Sequence, residues 1–125
     1  MPGAYHALMD GIMWASSAME AARSRLEIAT ENLANVSTGG FHRIVAHGLL
    51  TASGVTIARE RRPDPAAAVS AAGHSVERPA LSNGVDAIAE MIDVLAAERS
   101  FESAQKAVLA IDRTRETAAQ AARIQ

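Results

Sequence analysis

The sequence predicts a mainly α protein in which two long terminal helices form a coiled-coil-like bundle, with a small β-hairpin or irregular segment between them. Three observations carry this prediction. Apolar residues recur at alternating spacings of four and three over 8–36, a second helical pattern runs from about residue 85 to about residue 123, and three of the four prolines fall between the two. The alternating spacing is typical of a coiled-coil seam rather than of the broader face of a globular helix. The chain accordingly divides into an N-terminal helix and turn, a short middle and a C-terminal helix, at residues 1–40, 41–81 and 82–125.

Composition limits the protein to one domain with a thin interior. Of the 125 residues 49% are hydrophobic, but only 3% are aromatic, and alanine supplies much of the apolar content. Such a chain has few large side chains to fill a deep core. The net charge of −2 is spread along the chain and argues against nucleic acid binding, which requires clustered Lys and Arg. The basic cluster Arg59, Arg61 and Arg62 is interrupted by Glu60 and fits a solvated edge or turn.

The N-terminal helix presents two rows of residues along its seam. One row is large and the other is mostly small, and they consist of Ile12, Met19, Leu26 and Leu33, and of Leu8, Ala15, Ala22, Ala29 and Val36. This combination lets a partner helix approach closely. The partner is the C-terminal helix of the same chain or of an adjacent one. Met13 and Trp14 lie off the seam, where they form either a second contact surface or a partly buried patch.

The helix stop and the middle of the chain follow from local chemistry. The helix ends over Asn35 to Gly40, because the Asn and Gly in this stretch tolerate left-handed backbone angles, and Phe41 then anchors the turn. The short runs 41–46 and 55–59 have β character and predict two strands or a hairpin. Prolines and Gly73 make 63–81 mostly irregular, with a turn or two of helix over 66–72.

The C-terminal helix begins near Ser82 or Asn83, either of which can cap it, and Asp86 and Glu90 lie near the positive end of its dipole. Its apolar residues form two faces on roughly opposite sides that change over near 98–100. These faces are Val85, Ile88, Ile92 and Leu95, and Val94, Ala97, Phe101, Ala104, Val108 and Ile111. The pattern predicts contacts with different neighbours along the helix, or else a kink at the crossover.

No catalytic, cofactor-binding or metal-binding residues are identified. The histidines His6, His42, His47 and His74 are scattered, the carboxylates lie on helix faces where solvation is the default, and the chain has no cysteine. No glycine-rich phosphate-binding loop precedes a helix, and the sequence contains no recognisable Ser/His/Asp catalytic arrangement. We expect no cofactor, no small-molecule substrate, no transmembrane segment and no cleaved secretory leader.

Two motifs resemble the bacterial flagellar axial proteins of the rod and hook. The stretch 25–41 is similar to their N-terminal signature, and the matching residues are Leu26, Asn32, Leu33, Ala34, Asn35, Thr38, Gly40 and Phe41. The stretch 83–104 resembles their C-terminal motif, and its matching residues are Asn83, Val85, Asp86, Glu90, Met91, Arg99 and Phe101. The chain departs from the family pattern at Gly39 and His42, by an insertion at Gly84, and at Ala104. Together the two motifs cover about half of the chain.

The resemblance implies a structural subunit and not an enzyme. Such proteins pack their terminal helices against those of neighbouring subunits in a helical tube, and they leave the cell through the flagellar type III export apparatus without a cleaved leader. The implied partners are further copies, other rod subunits and the export apparatus. The implied location is the periplasm-spanning rod of the basal body. The short middle is similar to that of the proximal-rod proteins, the FlgC type more than the FlgB type, because the larger rod proteins carry a big central β-domain.

The residues expected at the assembly interface come from both helices and the intervening turn. They are Leu8, Ile12, Ala15, Met19, Ala22, Leu26, Ala29, Asn32, Leu33, Asn35, Val36, Phe41, Val85, Ile88, Met91, Ile92, Leu95, Phe101, Ala104, Val108 and Ile111. Three alternatives stay open at this point. They are a coiled-coil adaptor, chaperone or export-related interaction protein, a small helical enzyme, and an axial component of the hook side, the distal rod or the rod cap.

Overall fold

The computed structural model describes residues 3–62 and 83–123. It contains four elements, which are α1 (Gly3–Ala34), β1 (Ile44–Thr51), β2 (Gly54–Arg61) and α2 (Ala87–Arg123). The predicted fold class, two long helices with a small antiparallel hairpin between them, is confirmed. The irregular segment predicted at 63–81, with its short helix at 66–72, lies outside the described residues. No helix in the described ranges has the length and apolar character needed to span a membrane.

The two helices pack antiparallel within one chain. A Cβ added at Gly11, near the start of α1, would lie 3.3 Å from Cδ1 of Ile111 near the end of α2. At the opposite end, Asn32 of α1 donates a hydrogen bond to Glu90 of α2. The seam of the N-terminal helix therefore pairs with the C-terminal helix of its own chain.

Small residues occupy the centre of the contact between the helices. The buried residues of the seam are mostly alanines, contributed by both partners, and these alanines are Ala15, Ala22, Ala29, Ala97 and Ala104. Ala21 and Ile28 are also buried but lie beside the seam of α1. The large seam row of α1 is only half-buried and flanks them. Because alanine places little bulk between two backbones, the helices approach closely over this row. The stability of the pair thus depends on close packing and not on a thick apolar core.

The buried face of α2 runs without a change of side. Its buried and half-buried residues keep one seam from Glu90 through Val94 and Ala97 to Ile111, and α2 is continuous helix across 98–100. The predicted change of face near 98–100 is therefore not observed. The prediction differs because a search for apolar residues passes over Glu90, which occupies the first buried position of the seam. The opposite face beyond Leu95 is charged. There Nζ of Lys106 lies 2.7 Å from Oε1 of Glu102. The hydrogen bond from this ammonium group, together with its positive charge, lowers the pKa of the Glu102 carboxyl.

The hairpin is antiparallel, with Thr51 opposite Gly54 and a two-residue turn between the strands. The predicted first strand began at Phe41, whereas β1 begins at Ile44. Residues before Ile44 belong to the helix stop, since the Phe41 amide donates to the carbonyl of Thr38. The hairpin rests on α1, where Ser17 Oγ accepts a 3.2 Å hydrogen bond from the Val55 amide.

Gly54→Ala is expected to loosen the hairpin from α1. Gly54 has φ 132°, and an added Cβ would lie 2.0 Å from Oγ of Ser17. Since an alanine both strains this backbone and collides with Ser17, we expect a loss of about 2–4 kcal/mol in the free energy of unfolding. Denaturant unfolding followed by circular dichroism measures it. Gly39→Ala is the control, because no atom lies within 4 Å of its added Cβ. Equal midpoints for the two variants would contradict the described seat of the hairpin.

Candidate assembly interface

The turn after α1 is built from the predicted stop signal. The amides of Asn35 and Val36 donate to the carbonyls of Asn32 and Leu33, and Gly40 has φ 76°, a value that favours glycine. The Asn35 side chain also donates a 2.8 Å hydrogen bond back to the carbonyl of Glu31. Gly40 of the predicted stop therefore takes a left-handed angle, whereas Asn35 contributes through the hydrogen bond of its side chain.

Asn83 ties this turn to the start of α2. Its Nδ2 donates to the carbonyls of Asn35 and Val36, at 2.9 and 2.7 Å, and its Oδ1 accepts from the Val85 amide at 3.1 Å. The carbonyl of Asn83 accepts from the Arg43 amide at 3.2 Å. One residue thus joins the end of α1, the entry to the hairpin and the approach to α2. Its role as a helix cap is taken by Asp86, whose Oδ1 accepts from the amides of Ile88 and Ala89.

Asn83→Ala and Asn83→Asp distinguish the contribution of the Nδ2 donor, which binds the turn, from that of the Oδ1 acceptor, which binds the Val85 amide. Alanine removes both the donor to the turn carbonyls and the acceptor for Val85. Aspartate keeps the acceptor but turns a charged oxygen toward the carbonyls. We expect each variant to lose about 1–3 kcal/mol, with aspartate at least as damaging as alanine. Thermal unfolding checks the order, and a neutral aspartate variant would show that the contacts with the turn are dispensable.

A buried polar cluster lies directly beneath this turn. The Asn32 side chain is 0% exposed, and it pairs with the backbone of Ile44 by donating to its carbonyl and accepting from its amide, both at 2.8 Å. The amide side chain therefore acts as a short neighbouring strand for the start of β1. The same Nδ2 also donates to Oε2 of Glu90 at 3.1 Å.

Glu90 is the other buried member of the cluster and is 1% exposed. Its Oε1 accepts from Nε of Arg43 at 2.5 Å, and the Arg43 guanidinium also reaches Asp93 at 3.4 Å. The expectation that the carboxylates are solvated is therefore wrong for Glu90. Sequence reasoning matched this residue to a motif and missed its burial, because its partners lie 47 and 58 positions away in the chain.

A groove of about 270 Å³ opens beside this cluster, between β1 and α2. Its polar lining includes Arg43, whose guanidinium binds both Glu90 and Asp93, and its apolar lining includes Ala97 and Ile44. In the described part of the chain, no group of three histidines or acidic residues is placed to hold a metal ion. The arrangement ties the start of β1 to α2 through Arg43.

The structure divides the expected interface residues into three groups. Those buried within the chain are Ala15, Ala22, Ala29, Asn32 and Ala104, and those half-buried are Ile12, Met19, Leu26, Leu33, Asn35, Phe41, Val85, Val108 and Ile111. The exposed residues are Val36, Ile88, Met91, Ile92, Leu95 and Phe101. The side chain of Leu8 lies outside the described ones. The first two groups mainly build the fold, and the third group is exposed in the single chain.

Four exposed residues form one surface on the first turns of α2. Ile88, Met91, Ile92 and Leu95 follow helical spacing on the side away from α1, and Ile88 is 71% and Ile92 60% exposed. We name this surface the α2 patch. Scattered apolar residues are ordinary on a protein surface, but an exposed set at helical spacing is a candidate interaction site.

Further exposed apolar residues lie near the hairpin turn. They are Met13 and Trp14 of α1, and Leu49 and Leu50 on opposite faces of β1. The hairpin turn rests on Ser17, one turn of helix from Met13. Of the two expectations for Met13 and Trp14, exposure favours a contact surface. Sequence reasoning missed the exposure of Leu49 and Leu50. Two adjacent residues of a strand point to opposite faces, so both cannot pack against α1, and this signal could have predicted an exposed leucine.

Two models of protein families match the chain. The model described as flagella basal body rod protein matches residues 12–42, and the model described as flagellar basal body rod FlgEFG protein C-terminal matches residues 82–121. Together the matched ranges exceed half of the chain, and they include Asn32 and Glu90 of the buried cluster, whereas Arg43 follows directly after the first range. A search of curated proteins found no match.

Proposed function

The chain belongs to the family of rod and hook axial proteins of the bacterial flagellum, and on this premise we propose that it is a structural subunit of the proximal rod that polymerises through its terminal helices. The matched families are structural components of the flagellar basal body and not enzymes. In the proposal, the subunits form a helical tube that transmits torque.

The α2 patch is the observation that carries the polymerisation. The helix already uses its other face against α1, so the patch gains nothing from the fold of its own chain. Burying four such side chains in an assembly stabilises it by the hydrophobic effect, at about 25 cal/mol per Å² of apolar surface. A subunit that folds on one face of α2 and associates through the other explains why apolar residues also occupy the outer face over the first turns of this helix.

A position in the proximal rod, of the FlgC type, is supported by the size of the middle segment. Only residues 62–82 separate β2 from the start of the link at Asn83. A domain needs roughly 50 residues or more, so no large central β-domain fits there. The resemblance further implies export through the flagellar type III apparatus without a cleaved leader and a final position in the periplasm-spanning part of the rod. Both belong to the proposal.

Light scattering on the purified chain over a range of concentrations, with circular dichroism and electron microscopy, tests the proposal. We expect open tubes or filaments above a threshold concentration, with helix content that rises or is kept as they form. A monomer or a small closed oligomer at every concentration would overturn it and favour a coiled-coil adaptor. A matched run in high salt separates apolar association from charge pairing, since salt weakens only the latter.

A further inference from the structure

We infer that Asn83 is a site of spontaneous deamidation, and that the link it forms between the turn after α1 and the start of α2 protects it from this reaction. The site consists of Asn83 and Gly84, the glycine by which this chain departs from the family pattern. The inference concerns a covalent modification and does not depend on the proposed function. Its co-reactant is water, and its products are ammonia and an acidic residue at position 83.

The reaction uses the backbone nitrogen of the next residue as its nucleophile. The Gly84 nitrogen loses its proton and attacks Cγ of Asn83, a five-membered succinimide ring closes, and the bond from Cγ to Nδ2 breaks. Nδ2 takes up a proton and leaves as ammonia. Water then adds to one of the two ring carbonyls and opens the ring. The product is aspartate when the Gly84 nitrogen leaves Cγ, and isoaspartate when it leaves the main-chain carbon.

Asn83 has the neighbour that this reaction requires. Gly84 carries no Cβ, so its nitrogen approaches Cγ with little hindrance, and the residue is exposed to water. Within the described part of the chain, the Gly84 amide donates no hydrogen bond that would hold its proton. The other two asparagines, Asn32 and Asn35, precede a leucine and a valine, whose side chains crowd the attack. Deamidation is therefore expected first at Asn83.

The fold restrains the amide group that has to react. Nδ2 of Asn83 donates to the carbonyls of Asn35 and Val36, at 2.9 and 2.7 Å, and Oδ1 accepts from the Val85 amide at 3.1 Å. Ring closure makes Cγ tetrahedral and moves both atoms away from these partners, so the hydrogen bonds are lost on the way. The leaving nitrogen must also gain a proton, and the carbonyl oxygens around it have none to give. The reaction therefore proceeds from a locally opened or unfolded chain.

Deamidation removes the link permanently. An aspartate at position 83 places a charged oxygen against the carbonyls of Asn35 and Val36, to which the amide donated. Isoaspartate also lengthens the main chain by one carbon, which displaces the approach to α2 from the Arg43 amide that now donates to the Asn83 carbonyl at 3.2 Å. A chain that stays unfolded for long therefore loses a contact that refolding does not restore.

Peptide mapping by mass spectrometry on the full chain tests the inference. Dilute samples in buffer and in guanidinium chloride are held at the same mildly alkaline pH, and aspartate and isoaspartate at position 83 are quantified over time. We expect a rate at least about tenfold lower in buffer than in denaturant, because the hydrogen bonds of Asn83 have to open first. In denaturant, Gly84→Ala should lose most of the product, since its methyl group hinders the attack. This variant is compared only there, because Gly84 has φ 71° in the fold and alanine would be strained.

A second variant tests the protection without changing the reacting pair. Glu90→Gln weakens the buried cluster beneath the turn, so it should raise the rate in buffer severalfold and leave the rate in denaturant unchanged. Glu98→Gln, at an exposed position of the same helix, should match the unmodified chain in both conditions. Equal rates in buffer and in denaturant, or equal rates for the two glutamine variants in buffer, would overturn the protection. A chain that forms no product at position 83 in denaturant would overturn the site itself.

Discussion

Glu90→Gln is expected to lower the free energy of unfolding by about 2–4 kcal/mol, a large loss for an isosteric change. The two carboxylate oxygens accept from two different donors, Arg43 Nε and Asn32 Nδ2. Glutamine has one acceptor oxygen, and whichever way its amide turns, an N–H group faces another donor. Breaking a buried, hydrogen-bonded ion pair in this way costs more than the pair itself contributes, because a partner stays buried without an acceptor.

Urea unfolding at neutral pH measures the effect. Glu98→Gln is the matched control, since Glu98 is exposed on the same helix two turns later and should change the stability by no more than about 0.5 kcal/mol. Asn32→Ala should approach the loss seen for Glu90→Gln, because it leaves the amide and carbonyl of Ile44 without their side-chain partner. If Glu90→Gln unfolds at the same urea concentration as Glu98→Gln, the cluster does not hold the ends of the helices together.

Much of this fold follows from local and periodic features. The two helices, the stop at Asn35 to Gly40 and the presence of a hairpin depend on spacings and on backbone preferences that a single stretch of sequence contains. The alanine row was identified as part of the seam. The sequence did not show that the alanines, and not the larger row, form the centre of the seam. This depends on how closely the two helices approach each other, which the sequence of one helix does not determine.

The buried cluster could not be derived in the same way. A glutamate in the first turn of a helix is ordinarily solvated, and its burial here depends on Arg43 and Asn32, which are distant in sequence. Asn83 likewise looked like a helix cap, but its amide group bonds to the turn after α1. Polar contacts between distant segments leave no period in the sequence, so the two motifs indicated these residues without indicating what they do.

Ile92→Asp is expected to raise the threshold concentration for polymerisation about 100-fold or more while leaving the monomer folded. Ile92 is 60% exposed in the single chain, so a carboxylate there remains hydrated and changes the stability little. In an assembly that covers the α2 patch, the variant loses the apolar contact and places a charge in it. A loss of about 3 kcal/mol for each subunit corresponds to about a 100-fold change in the association constant.

Ser103→Asp is the matched control, because it adds the same charge to an exposed position on α2 beyond the patch. Light scattering against concentration gives the two thresholds, and circular dichroism shows whether each variant keeps its helices. We expect Ser103→Asp to polymerise within about threefold of the unmodified chain, whereas Ile92→Leu, which keeps the apolar surface, should differ little from it. If Ile92→Asp keeps both its helicity and its threshold, the α2 patch stays in water in the assembled state. The polymer would then have to form through surfaces that the single chain already half-buries, such as the row of Ile12, Met19 and Leu26.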